Sequence, residues 1–125
     1  MTIEECITLV DEMQPNLIDR ARKIEWLSRV DSRIFEELMC KHQGGANTPQ
    51  QFTGYTQETD PDTELFAKYP YDEMYRFYLE MQIDYANQEY DKYNNNAQLF
   101  NELWGEYARK YHRDHKPLSG AHWRF

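Results

Sequence analysis

The chain has 125 residues and carries 22 Asp plus Glu against 14 Lys plus Arg, a net charge of −8. That length suits one domain rather than two, and an aromatic share of 15% is too rich for a disordered chain. Mean hydropathy is −0.97, and no apolar run approaches the roughly 18 residues of a membrane span; Met1 to Val10 holds Glu4 and Glu5 with no basic cluster, so a signal peptide, a membrane protein, a secreted disulfide scaffold and a generic DNA binder are not expected.

Thr2 is followed three residues later by Glu5, the capping-box pattern that starts a helix. Ile3, Cys6, Ile7, Val10 and Met13 then recur at helical spacing and share one face. Pro15-Asn16 ends this first helix, since the residue before proline is pushed out of the helical region. A second helix is predicted from about Asp19 to His42. Its apolar stripe is Ile24, Leu27, Val30 or Asp31, Ile34 and Leu38, with Trp26, Arg29, Arg33 and Glu37 on other faces. Asp19 suits the N-cap, Lys41 and His42 suit the negative end of the dipole, and Gly44-Gly45 stops the helix. Asp31, on the edge of the stripe, needs a partner if buried; Arg33, Arg76 or a helix N-terminus would serve.

Residues 43–70 lack helical period and form a long central loop. Phe52-Thr53-Gly54-Tyr55-Thr56 fits a short strand or β-hairpin, and Asp60-Pro61 is a turn signal. Pro70, Asp72 and Glu73 then open a helical region. Met74, Tyr78, Met81 and Tyr85 make one stripe. Tyr90, Tyr93, Ala97, Phe100, Trp104, Tyr107 and Tyr111 make a second. One helix over 71–113 would be about 64 Å long, too long a rod for a domain of this size to cover. A break at Asn87-Gln88 turns it into an antiparallel hairpin, because the second stripe then keeps its phase through the asparagines. Asn94-Asn95-Asn96 is the competing place, since asparagine favours caps and turns. Lys116-Pro117 ends the last helix, and 114–125 reads as a tail. The fold expected is all-α, a four-helix domain over 1–125 with a helical hairpin in its C-terminal half.

The charge is uneven. Residues 106–125 hold five basic and two acidic side chains, net +3, while every earlier segment is acidic. An acidic body repels nucleic acid at long range, and the basic tail is a candidate contact for an acidic partner. The apolar surface is tyrosine-rich, with ten in all, and tyrosine suits half-wet interfaces. More apolar area is therefore expected than one copy hides.

Few residues suggest chemistry. His112, Asp114 and His115 form H-x-D-H, but the histidines stand three apart rather than four, so a cationic helix end is the preferred reading over a metal site. Asp60, Asp62 and Glu64 resemble the start of a calcium loop, with Leu65 where glycine is required. Glu80, Asp84 and Glu89 read as a solvated helix face. Cys6 and Cys40 make no Cys-x-x-Cys motif and read as small hydrophobes, a disulfide between them staying open. No nucleophile elbow, phosphate-cradling loop or dinucleotide fingerprint is present. No enzyme activity, cofactor or metal is expected.

Four stretches carry a resemblance over nearly the whole chain: KIEWLSRVDSRIFEEL (Lys23 to Leu38), FTGYTQETDPDTELF (Phe52 to Phe66), PYDEMYRFYLEMQIDYANQEYDKYNNN (Pro70 to Asn96) and YHRDHKP (Tyr111 to Pro117). Together they resemble a family of small proteins from the structural modules of tailed phages and prophages of low-GC Gram-positive bacteria, of the head–tail connector or head-completion adaptor type. In that family a glycine often follows the position of Asn87, where this chain has Gln88. The resemblance implies a virion subunit, present in the host cytoplasm during assembly, that joins a ring, docks on the portal protein and on a neighbouring connector, stopper or tail protein, and extends the DNA channel. It implies no sequence-specific nucleic-acid contact and no membrane. By the same analogy, docking residues are expected in the tail, at His112, Arg113, His115, Lys116, Trp123, Arg124 and Phe125, and in the loop, at Phe52 and Tyr55. The rival readings are a phage-encoded helical adaptor or regulatory protein outside the virion, and a small metal-dependent enzyme using His112, Asp114 and His115.

Overall fold

The computed structural model describes residues 1–42 and 51–115. The fold is all-α: α1 (Ile3–Met13), α2 (Arg20–Glu37), a single 3₁₀ turn (Met39–Lys41), α3 (Glu73–Ala86) and α4 (Tyr90–Asp114). The stop expected at Gly44-Gly45 lies outside the described residues.

The first helix starts as its sequence dictates. Thr2 Oγ1 accepts from the Glu5 amide, and Glu5 Oε1 accepts from the Thr2 amide, closing the capping box. The amides of Ile3 and Glu4 donate to the carbonyls of Thr63 and Pro61, so the loop also seals this helix end. Ile3, Cys6, Ile7 and Val10 are buried, while Met13 stays exposed.

Asp19 caps α2 through the Arg22 amide. The stripe of Ile24, Leu27, Val30, Asp31, Ile34 and Leu38 is buried as its spacing requires, but so are Lys23 and Trp26. Trp26 was expected on another face. The helix is covered on a wider arc because α1, α3 and the chain segment 51–70 all lie against it. Lys23 is tolerated inside because its ammonium reaches the Asp11 carboxylate. The helix also ends earlier than His42. The Leu38 carbonyl accepts from the Lys41 amide in 3₁₀ fashion and faces the His42 ring nitrogen Nδ1 at 2.7 Å, so the acceptor of the next α-turn is already taken.

The break between α3 and α4 falls at Asn87–Glu89, and α4 passes through Asn94–Asn96 unbroken. Gln88 sits at φ 60, a left-handed conformation in which glycine meets no Cβ penalty. The two helices run antiparallel along an aromatic seam. Tyr71, in the turn before α3, meets Tyr107, Tyr78 meets Phe100 and Tyr85 meets Tyr93, so each step of seven residues from Tyr71 to Tyr85 matches a step of seven back along α4.

Residues 51–70 contain no strand; a single bridge pairs Thr2 with Glu64. The expected hairpin at 52–56 is replaced by contacts to α2, because the Tyr55 amide donates to Ser28 Oγ rather than across a turn. Gly54, at φ 99, is required there: a Cβ would lie 2.7 Å from Ser28 Oγ. One hydrophobic core, including Leu27, Ile34, Leu65, Tyr75, Leu79 and Phe100, draws on all four helices and this segment.

Candidate functional site

Asp31 is the most constrained polar group. It is 0% exposed and accepts three bonds: from Tyr55 Oη and Tyr75 Oη, each at 2.5 Å, and from the Phe66 amide at 3.1 Å. Tyr75 Oη in turn accepts from the Ala67 amide at 2.7 Å. The expected arginine partners are elsewhere. Arg33 stacks on the Trp104 ring at 4.0 Å, and Arg76 pairs with Glu73 and Glu80. Two tyrosine hydroxyls serve instead because their rings bring a donor into the core without a full charge. Burial outweighs the three bonds and pushes the Asp31 pKa up to about 6. Both tyrosines are shifted upward, by burial first and by the carboxylate next. The carboxylate is sealed, so the cluster holds chain to chain; it fastens 55–67 onto α2.

Asp84 is the second fastener and is also fully buried. Gln14 Nε2 and Asn96 Nδ2 donate to its two oxygens at 2.7 and 2.9 Å, and the Glu89 amide donates to its backbone carbonyl. This ties the end of α1 to the hairpin. Asp84 and Glu80 are thus not on a solvated face, as spacing on α3 suggested. α1 covers that side of α3, and Glu80 is admitted through its pair with Arg76, although burial still pushes its pKa up.

The basic end of α4 carries exposed charge. His112 and Arg113 are exposed there, and His115 is half-buried. His112 Nδ1 lies 2.7 Å from Nε2 of the buried His42. His42 Nδ1 faces the Leu38 carbonyl, so it carries the proton, and the neutral pair is closed by a proton on His112 Nδ1. The Tyr111 ring packs edge-on to His42 and stacks on His115 at 3.9 Å. Burial first, and His42 second, hold the His112 pKa below its usual range. H-x-D-H does not converge: His112 faces His42, His115 lies on Tyr111, and Asp114 bonds Lys110. Among the described residues no three His, Cys, Asp or Glu side chains are placed to share a metal ion.

Of the expected docking residues, His112, Arg113 and His115 are brought together at this end. Phe52 and Tyr55 are drawn inward instead. Phe52 is half-buried among Phe35, Tyr55 and Phe66, and the Tyr55 hydroxyl is held by Asp31. Lys116, Trp123, Arg124 and Phe125 lie outside the described residues. Sequence reading missed His42, whose partner is 70 residues away in the chain. It also missed the hairpin tip, where Tyr85, Tyr90 and Tyr93 cluster.

Two concavities among the described residues are open. One, of about 420 Å³, is lined by Gln88, Glu89, Tyr90, Asp91 and Lys92 at the tip. The other, of about 410 Å³, lies on the outward side of α4, lined by Asn101, Glu102, Gly105, Glu106 and Arg109. No described helix is long and apolar enough to cross a membrane. Comparison with protein-family models, with curated proteins and with solved structures finds no match.

Proposed function

We propose that this chain is a phage virion assembly subunit of the head–tail connector type, docking on the portal through the basic end of α4 and the segment that follows it. The observation that carries the reading is the polarity of the molecule. The outward side of α4 is amide-rich and acidic, with Gln98, Asn101, Glu102 and Glu106 exposed. The end of the same helix exposes His112 and Arg113 and leads into Lys116, Trp123, Arg124 and Phe125. Arginine, tryptophan and aromatic side chains are those that dominate docking energetics. An acidic wall makes few phosphate contacts, which suits a channel that DNA must slide through.

Mass spectrometry of purified particles tests virion membership; absence of the chain from particles leaves the reading of a helical adaptor outside the virion. Capture by the portal protein tests the docking end. Full-length chain is expected to bind, and a 1–113 truncation is expected to lose most of the binding. Equal capture of both refutes the assignment of the tail.

A further inference from the structure

We infer that His42 and His112 form a two-imidazole site for a divalent cation of the zinc class, which clamps the end of α4 to the 3₁₀ turn. The His42 ring is 6% exposed, and its Nδ1–H donates to the Leu38 carbonyl at 2.7 Å. That bond fixes the tautomer and leaves the Nε2 lone pair directed at His112. A backbone carbonyl orients metal-ligating histidines in the same way. The group that meets Nε2 is a second imidazole, with His112 Nδ1 at 2.7 Å and the ring centroids 4.5 Å apart. Buried Asp31 and Asp84 are served differently, by hydroxyl and amide donors. Here both facing atoms are imidazole nitrogens, the ligands that zinc, copper and nickel prefer and that magnesium and calcium do not.

The geometry needs a small adjustment. A tetrahedral zinc ion holds each imidazole nitrogen at about 2.0–2.1 Å, which sets the two nitrogens about 3.3 Å apart, so the pair opens by about 0.6 Å. His112 supplies that movement, because it is exposed on the last turn of α4 while His42 is packed against the Tyr111 ring. The same exposure gives the ion a way in from solvent. Protons balance. The ion takes the place of the His112 Nδ1 proton, which leaves to water, and the ring takes one from water at Nε2, so both rings stay neutral. Water completes the coordination. Of H-x-D-H the site uses His112 alone, since His115 stacks on Tyr111 and Asp114 bonds Lys110. The two ligands stand 70 residues apart in the chain, so the ion binds the folded chain and adds its binding energy to the fold. The clamp belongs to the folded chain whatever it assembles with, inside a virion or outside one.

Zinc chloride titrated calorimetrically into the full-length chain at about pH 7, where neutral imidazole prevails, tests the site. Wild type is expected to bind one zinc ion per chain, and magnesium in excess should not compete. His42→Asn and His112→Asn should each weaken binding about tenfold or more, and His115→Asn should leave it unchanged. Urea unfolding gives a second reading. Zinc should raise the midpoint of wild type and of His115→Asn, and should not raise that of the other two variants. Because His112 is exposed, its variant decides the matter even if His42→Asn unsettles the turn. A wild type that takes up no zinc, uptake equal in wild type and His112→Asn, or uptake that leaves the urea midpoint unmoved overturns the inference. So does an equal loss on His115→Asn, which assigns the ion to H-x-D-H instead.

Discussion

Tyr75→Phe removes one oxygen atom from the core and should be among the most destabilising single-atom changes in this chain. The hydroxyl donates to Asp31 and accepts from the Ala67 amide, and Tyr75, Asp31 and Ala67 are all 0% exposed. A lost bond to a buried carboxylate is worth about 1.5–3 kcal/mol, and a buried amide left without an acceptor about 1–3 kcal/mol. A loss of about 3–5 kcal/mol is expected at pH 7, against an ordinary domain stability of about 5–15 kcal/mol. Tyr55→Phe should cost about 1–2 kcal/mol, because its hydroxyl leaves no orphan and its ring is half-buried. Urea unfolding followed by helical circular dichroism measures both, and the Tyr75 variant should move the midpoint by roughly 2 M. The pH dependence separates this account from simple cavity loss. Asp31 has its folded pKa raised to about 6, so the fold holds this proton more tightly than the unfolded chain. That contribution is full below the ordinary carboxylate pKa of about 3.9 and is lost as pH rises through about 6. The Tyr75 bond favours the ionised form, so its removal raises the Asp31 pKa further. The gap between variant and wild type should therefore narrow from pH 7 to pH 5. A loss below about 1 kcal/mol, or a gap equal at both pH values, refutes the reasoning.

The remaining predictions address the other fasteners and the turn. His112 has its folded pKa lowered from 6.5, so the stability it contributes is full above that value and falls away as pH drops below it. Amides 107–115 should exchange faster at pH 5 than at pH 7 after correction for intrinsic rates, and His112→Asn should flatten the response; an unchanged response in the variant contradicts the histidine pair as its source. Asn96→Leu leaves buried Asp84 with Gln14 as its side-chain donor and should cost about 1–3 kcal/mol in urea unfolding; a neutral result would mean that water reaches Asp84. Gln88→Gly relieves a left-handed residue and should stabilise by about 0.5 kcal/mol after the entropy of glycine is counted; destabilisation would argue against that turn. Cys40 is exposed, while burial, with Glu73 next, pushes the Cys6 thiol up to about 12. A thiol reagent should label Cys40 at once and Cys6 only as the chain unfolds, and rapid double labelling would show α1 undocked.

Local and periodic features were legible in the sequence. The Thr2–Glu5 box needs only neighbours three apart, and the break before Tyr90 follows from an aromatic stripe that keeps its phase to Tyr111. Long-range polar pairing was not legible. Asp31 finds its donors 24 and 44 residues away, in or beside a segment with no period, and nothing local distinguishes Tyr55 or Tyr75 from the other tyrosines. Trp26 was misplaced for the same reason. A helical wheel places a residue relative to its own helix, whereas its burial is decided by whatever covers that arc, here including the aperiodic segment 51–70. Glu80 and Asp84 read as solvated because carboxylates on an amphipathic helix are usually so. Their inward position depends on Arg76 and Asn96, whose side chains reach them only once α3 is folded and α4 is docked.

These failures share a pattern that bears on function. The helix seam of α3 and α4 is aromatic and repeats every seven residues, so by itself it tolerates a slip of register by one repeat. Asp31, Asp84 and the His42–His112 pair each join an irregular segment or a helix end to a distant helix, and each is satisfied in one arrangement only. A slip of α4 by seven residues would separate Asn96 from Asp84 and His112 from His42 together. The polar contacts therefore fix where the basic end of α4 lies against the end of α2 and the 3₁₀ turn.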